Sequence, residues 1–151
     1  MIGWLLDTNV ISELARAGCD PKVAAWAQAQ EEQRFFISIL SLAEYDKGVN
    51  KLPATAPGRA RLEAAVVALE GRFAGRIVSL DDAIVRRWGQ ISGSIQQAAG
   101  HAPPVVDTLL AATAIEHRFY LATLNVRDVR GSGAAVFDPW NDDPTRFPLT
   151  P

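Results

Sequence analysis

The stretch "MIGWLLDTNV", residues 1–10, sets the architecture of the whole chain. Its apolar run from Ile2 to Leu6 has the length and bulk of a short buried strand. The run stops on a carboxylate, Asp7, with two small polar residues, Thr8 and Asn9, behind it. From Thr8 the pattern turns helical, TNVISELARA, and ends near Gly18. A strand that delivers an acid at its carboxyl end has a functional reading, because ligands of parallel α/β sheets bind beyond the carboxyl ends of the strands. It also has a purely structural one, because Asp is a good helix N-cap.

Outward from this unit the same alternation repeats. Asp20-Pro21 is a cap and first-turn pair that starts a helix through KVAAWAQAQ. FFIS at 35–38 reads as a second strand, and ILSLAEYDKGVNKL as a helix broken before Pro53. PGRARLEAAVVALEGRF is a long amphipathic helix, RIVSL at 76–80 a third strand, and the segment from Asp81 to Gly100 a helix capped by Asp81. A helix over PVVDTLLAATAIEHR, a strand YLATL and a strand AAVFD at 134–138 complete the series. Strands alternating with helices predict an α/β fold, with a mostly parallel sheet of about five strands and helices on both faces. Residues 1–140 read as one domain, and the proline-rich end, 141–151, reads as a loose tail.

At 151 residues the chain is long enough for one domain with a useful core. A net charge of −2 argues against a constitutive nucleic-acid coat or a membrane-surface protein, while leaving room for a local basic rim. The single cysteine, Cys19, forms no intramolecular disulfide, which points to a reducing compartment and a cytoplasmic location. The apolar start is too short for a signal sequence, and no run approaches the ~18 apolar residues of a spanning helix.

Three further positions carry oxygen ligands near strand ends. Glu44 shares a helical face with Leu40, Ser41, Gly48 and Lys51, and Gly48, costing ~1 kcal/mol inside a helix, predicts close approach of another backbone. Asp107, in the first turn of its helix, suits the helix dipole, yet heads a face of Leu110, Ala111 and Ala114 that should turn inward. Asn125 and Asp128 follow the fourth strand. Bare carboxylates gathered at one edge would repel by about 4 kcal/mol per pair at ~4 Å and an effective dielectric near 20, so such a cluster needs a cation. Oxygen-only ligation points to Mg²⁺ or Mn²⁺. His101, His117 and Cys19 have no ligand spacing that would favour zinc.

LLDTNVISE, SLAE…G, PVVDTLLAATAIEH, LATLNVRD and AVFDPW, in this order over almost the whole chain, resemble the PIN-domain ribonucleases, specifically the VapC and FitB-like toxins of type II toxin–antitoxin systems. The resemblance implies a PIN-like three-layer fold and a metal-dependent endoribonuclease, in which a water activated by Mg²⁺ or Mn²⁺ cleaves RNA phosphodiester bonds to leave a 5′-phosphate and a 3′-hydroxyl. Asp7, Glu44 and Asp107 match the family's core acids and would be its metal ligands. The fourth acidic place holds Asn125, with Asp128 three residues on, and either could complete the catalytic set. Thr8 and Asn9 would orient the first acid or a metal-bound water. Arg118, Arg127 and Arg130 lie close to the motifs and are candidate RNA-phosphate contacts.

The resemblance also implies an antitoxin protein as partner and a homodimer, whose interfaces could use the apolar stripes of KVAAWAQAQ and LEAAVVALEGRF; ordinary core packing explains the same stripes. A catalytically weak or inactive PIN-like domain that binds RNA or protein is the alternative, kept open by Asn125. A phosphatase of the haloacid-dehalogenase type also begins with a strand ending in Asp, but needs a second Asp where this chain has Asn9.

Overall fold

The computed structural model describes residues 1–150. Five short strands form one parallel sheet: β1 (Gly3–Leu6), β2 (Phe35–Ser38), β3 (Ile77–Val78), β4 (Phe119–Ala122) and β5 (Val136–Phe137), in the order β3-β2-β1-β4-β5. Six α-helices flank it: α1 (Thr8–Ala15), α2 (Pro21–Gln28), α3 (Ile39–Asn50), α4 (Pro57–Arg72), α5 (Asp82–Ala99) and α6 (Val105–His117). This is the PIN-like α/β arrangement expected of the sequence. The chain winds outward from β1 through β2 to β3, then returns to the other side of β1 for β4 and β5. The order therefore reverses between β1 and β4, and a crevice at their carboxyl ends is the natural binding place of such a sheet.

β1 and β2 each feed a helix within a residue or two, and side-chain caps mark where the helices begin. Asp7 accepts the N–H of Thr8 at the start of α1, Asp20 those of Lys22 and Val23 in α2, Ser38 that of Leu40 in α3, and Asp81 that of Ile84 in α5. Beyond α6, Arg118 adopts the left-handed conformation (φ 59°) in which its N–H closes the helix end. Gly3 in β1 is obligatory: a Cβ there would stand 2.8 Å from the Arg34 carbonyl oxygen.

Alternation along β1 divides the core. Trp4 and Leu6 face one layer, with Val10, Trp26, Ile37 and Phe137; Leu5 faces the other, with Leu110, Ala111, Ala114 and Leu121. Trp4 packs edge-on against Trp26, ring centroids 5.2 Å apart, with Phe137 beside both. The fully buried Ala111, Ala112 and Ala114 let α6 lie closely between the sheet and α5. The apolar stripe of α2 supplies Val23 and Trp26 to the core, whereas α4 contains no fully buried residue and carries Val67 69 % exposed.

Two expectations change. Gly48 in α3 is approached by no other backbone; a Cβ there would meet only the Leu62 side chain of α4, at 3.6 Å. Nor is the end of the chain loose as far as Thr150. Phe147 packs edge-on to Tyr120 and Phe137, Leu149 joins the same core, the Tyr120 hydroxyl donates to the Pro148 carbonyl, and the Thr150 N–H donates to the Met1 carbonyl at 2.8 Å. Prolines loosen a segment only when it has no apolar side chains to bury, and Phe147 and Leu149 supply them.

Candidate active site

Asp7 leaves β1 beside β4, to which its N–H still donates through the Ala122 carbonyl (3.0 Å). The residue is 5 % exposed. Its Oδ1 accepts the Thr8 N–H at 2.6 Å, and its Oδ2 accepts the Thr123 hydroxyl at 2.6 Å and the Asn9 amide at 3.0 Å. Cap and ligand are thus compatible readings, since one oxygen caps α1 while the carboxylate as a whole is fixed at the sheet's edge. Burial, foremost, with the charges of Asp107 and Glu44, pushes the Asp7 carboxyl above the usual carboxylate range, against the hydrogen bonds from Thr123 and Thr8 that hold it down.

Around Asp7 stand side chains from three other segments. The Thr8 hydroxyl donates to Glu44 of α3 and lies 3.0 Å from the Ser41 hydroxyl. The Asn9 carbonyl oxygen accepts the Leu124 N–H at 3.3 Å, tying α1 to the turn after β4. In that turn the Asn125 N–H donates to the Thr123 hydroxyl (2.9 Å), and the Asn125 amide donates to Asp107 at 3.3 Å. Asp7, Thr8, Asn9, Glu44, Asp107 and Asn125, from four separate stretches of the sequence, therefore share one hydrogen-bonded or electrostatically coupled group at the β1–β4 switch point.

Other sequence candidates fall elsewhere. Asp128 lies in a 3-10 turn, Val126–Val129, where its N–H donates to the Asn125 carbonyl; its carboxylate makes no hydrogen bond to the group among the described residues. Arg127 and Arg130 are exposed on the same turn. Arg118 is misplaced by the sequence reading. It ends α6 and its carbonyl accepts the Ile2 N–H, which puts it at the amino edge of the sheet. Closeness to the motif in sequence suggested it, but eleven residues of helix separate it from Asp107 by about 16 Å.

Sequence reasoning also passed over Thr123 and Ser41. Both are buried polar residues, Thr123 1 % and Ser41 0 % exposed; Thr123 donates to Asp7, and Ser41 accepts from Thr8, the neighbour of Asp7. A Thr in place of an aliphatic at the end of the apolar strand YLATL was the available signal, since buried hydroxyls need partners.

With this geometry in view, comparison with known proteins is decisive. The sequence matches the PIN domain over residues 4–128. The chain belongs to the PIN-domain family. This PIN domain is 33 % identical over 141 residues to Toxin FitB of Neisseria gonorrhoeae, covering 91 % of this chain and 99 % of that one. It is 32 % identical over 139 residues to VapC ribonuclease Y4jK of Sinorhizobium fredii, covering 90 % and 96 % of the two. Among solved structures, that of FitAcB from Neisseria gonorrhoeae superposes with a TM-score of 0.79 at 30 % identity, over 91 % of this chain and 98 % of that one.

The donor chemistry of the PIN domain's edge suits a hard divalent ion: carboxylates, hydroxyls and an amide, with no sulfur or imidazole. The acids do not crowd as the sequence reading expected. Among the described residues no three of His, Cys, Asp or Glu are close enough to chelate one ion. Mg²⁺ tolerates such spacing, because it retains several waters and needs only one or two carboxylates directly.

Proposed function

We propose that this PIN domain is a metal-dependent endoribonuclease, the toxin of a type II toxin–antitoxin module. The observation that carries the reading is the buried Asp7, held above its ordinary protonation range beside Asp107 and Glu44, with no basic side chain among the described residues bonded to any of the three. A fold maintains like charges in this way where a cation offsets them. The similarity to Toxin FitB and to VapC ribonuclease Y4jK supports both the RNA substrate and an antitoxin partner.

Of Asp7, Glu44 and Asp107, one or two would bind Mg²⁺ or Mn²⁺ directly and the rest through its retained waters, with Asn125 preferred to Asp128 as the fourth residue of the set, because Asn125 is the one that reaches Asp107. When bound, such an ion supplies an acidified water and neutralises charge developing on phosphoryl oxygens. The chain's own contribution is orientation. Thr123 and the Thr8 N–H pin the two oxygens of Asp7, Thr8 steers Glu44, and Asn9 locks the β4 turn to α1. Arg127 and Arg130, exposed at the turn after Asn125, would meet RNA phosphates.

The test is cleavage of a structured RNA with Mg²⁺, with a chelator, and with Asp7→Asn or Asp107→Asn. Chelation and either substitution should each lower the rate by about two orders of magnitude or more. Activity that survives both changes excludes the reading. A second reading, a non-catalytic domain that binds RNA or protein, draws on Asn125 standing in an acid's place and on the spread of the acids. Calorimetry with Mn²⁺ separates the two, since only a working site shows binding that depends on Asp7. Homodimerisation and a cytoplasmic location remain part of the proposal; no helix among the described residues is long and apolar enough to cross a membrane.

A further inference from the structure

Beside Glu44 the surface opens into a cleft of about 370 Å³, walled by α3 on one side and by Val106, the neighbour of Asp107, on the other. Its α3 wall carries Leu40, Glu44, Lys47, Gly48 and Lys51. Positions 44, 47, 48 and 51 lie on one helical face, so Lys47 and Lys51 follow Glu44 at one and two turns, about 5 and 10 Å along the axis. Neither ammonium is neutralised, for every ion pair among the described residues uses an arginine. Gly48 lies between them. It lines the cleft without a side chain, and a Cβ there would meet only Leu62 of α4, at 3.6 Å. A helix gives up stability for a glycine at such a place, and here no packed backbone offsets the loss.

We propose that this cleft is a phosphate track for the RNA strand: Lys47 and Lys51 bind backbone phosphates on one side of the scissile bond, and Gly48 lets the strand lie against α3 between them. The proposal rests on the ribonuclease reading and extends it, by setting the path of the substrate across α3. In a chain with a net charge of −2, two unpaired lysines in a concave site next to an acidic one concentrate the positive potential that a polyanion needs. An acidic protein segment would use the same charges, but the cleft is continuous with Glu44 and with the first turn of α6 bearing Asp107, where the RNA must come.

The test is binding of a fluorescent single-stranded oligonucleotide, twelve uridines long, to the full chain in chelator, measured by anisotropy across a range of salt. For single strands the plot of log K against log salt has a slope near −0.7 per phosphate contact. Lys47→Gln and Lys51→Gln should each make it shallower by about 0.7, the double variant by about 1.4, with weaker binding at every salt concentration. Gly48→Leu, which puts a side chain there, should weaken binding while leaving the slope of the residual complex nearly intact. Lys22→Gln, on α2, is the control and should change nothing. If the wild type binds and the lysine variants keep its slope and affinity, or if Lys22→Gln does as much, the track is wrong while the ribonuclease reading stands. If the wild type binds no RNA and cleaves none, both fall.

Discussion

At the scale of single residues, the site turns on what surrounds the Asp7 carboxyl. Its carboxyl sits above the ordinary range because of burial and the nearby Asp107 and Glu44, and Thr123 is the side chain that restrains the rise. Replacing Thr123 by Val removes that hydroxyl and leaves the Asn125 N–H without its acceptor. The expected cost is about 1–3 kcal/mol of stability. Ribonuclease activity should fall about 10- to 100-fold, and its acid limb should move to higher pH; a pH–rate profile beside a urea titration reads both. The raised pKa also sets a linkage. The folded chain binds the Asp7 proton more tightly than the unfolded chain, so the charged form costs stability above the folded pKa and nothing below the unfolded one. Asp7→Asn should therefore gain stability relative to the wild type as pH rises through that window, then hold level. Denaturant titrations in chelator from about pH 4 to pH 8 measure the difference; if the proposed metal site holds Mg²⁺ through the charged carboxylate, adding the ion should narrow it.

At the scale of elements, the short edge strands and the outer helix α4 are secured from outside the core. β3 pairs only over Ile77 and Val78 because its single neighbour, β2, ends at Ser38, which already caps α3. RIVSL looked like a five-residue strand in the sequence; its length was decided by the partner, which local pattern does not display. The helices were far more legible, because Asp20, Asp81 and Pro57 announce their starts chemically. Asp7, Glu44 and Asp107 were legible for the same reason, standing just past apolar runs. Thr123, Ser41 and the misplacement of Arg118 were not, since they depend on which strand ends meet and how far a helix carries its last residue. The last turn of α4 is held to the segment before β2 by Arg72, whose guanidinium donates to both oxygens of Glu32 at 2.8 and 2.9 Å. That pairing, foremost, holds the Glu32 carboxyl below the usual range. Its stabilisation is present above the ordinary glutamate value and is lost as pH falls through the lowered one. Glu32→Gln should thus lower the melting temperature at pH 7 and leave it unchanged near pH 3. Half exposure limits the effect to less than about 1 kcal/mol, or ~4 °C.

At the scale of the molecule, the sheet has two unlike edges. The carboxyl edge gathers the polar group at the β1–β4 switch, while Arg118 and the Ile2–Arg118 backbone bond mark the amino edge. The final residues brace the aromatic core rather than trail from it. Phe147→Ala, which strips the ring from Tyr120 and Phe137, should cost about 1–3 kcal/mol in denaturant unfolding and leave the cleavage rate per folded molecule unchanged.

The clasp between Thr150 and Met1 has a practical corollary. Both the Thr150 N–H and its hydroxyl donate to the Met1 carbonyl, at 2.8 and 2.9 Å, so the backbone nearly closes into a ring. A few glycines would join those two points, and new ends could be opened in the exposed turn near His101 and Ala102 to make a circular permutant. Met1 enters β1 from the side opposite Asp7, so a tether attached there would immobilise the protein with the carboxyl edge of the sheet outward.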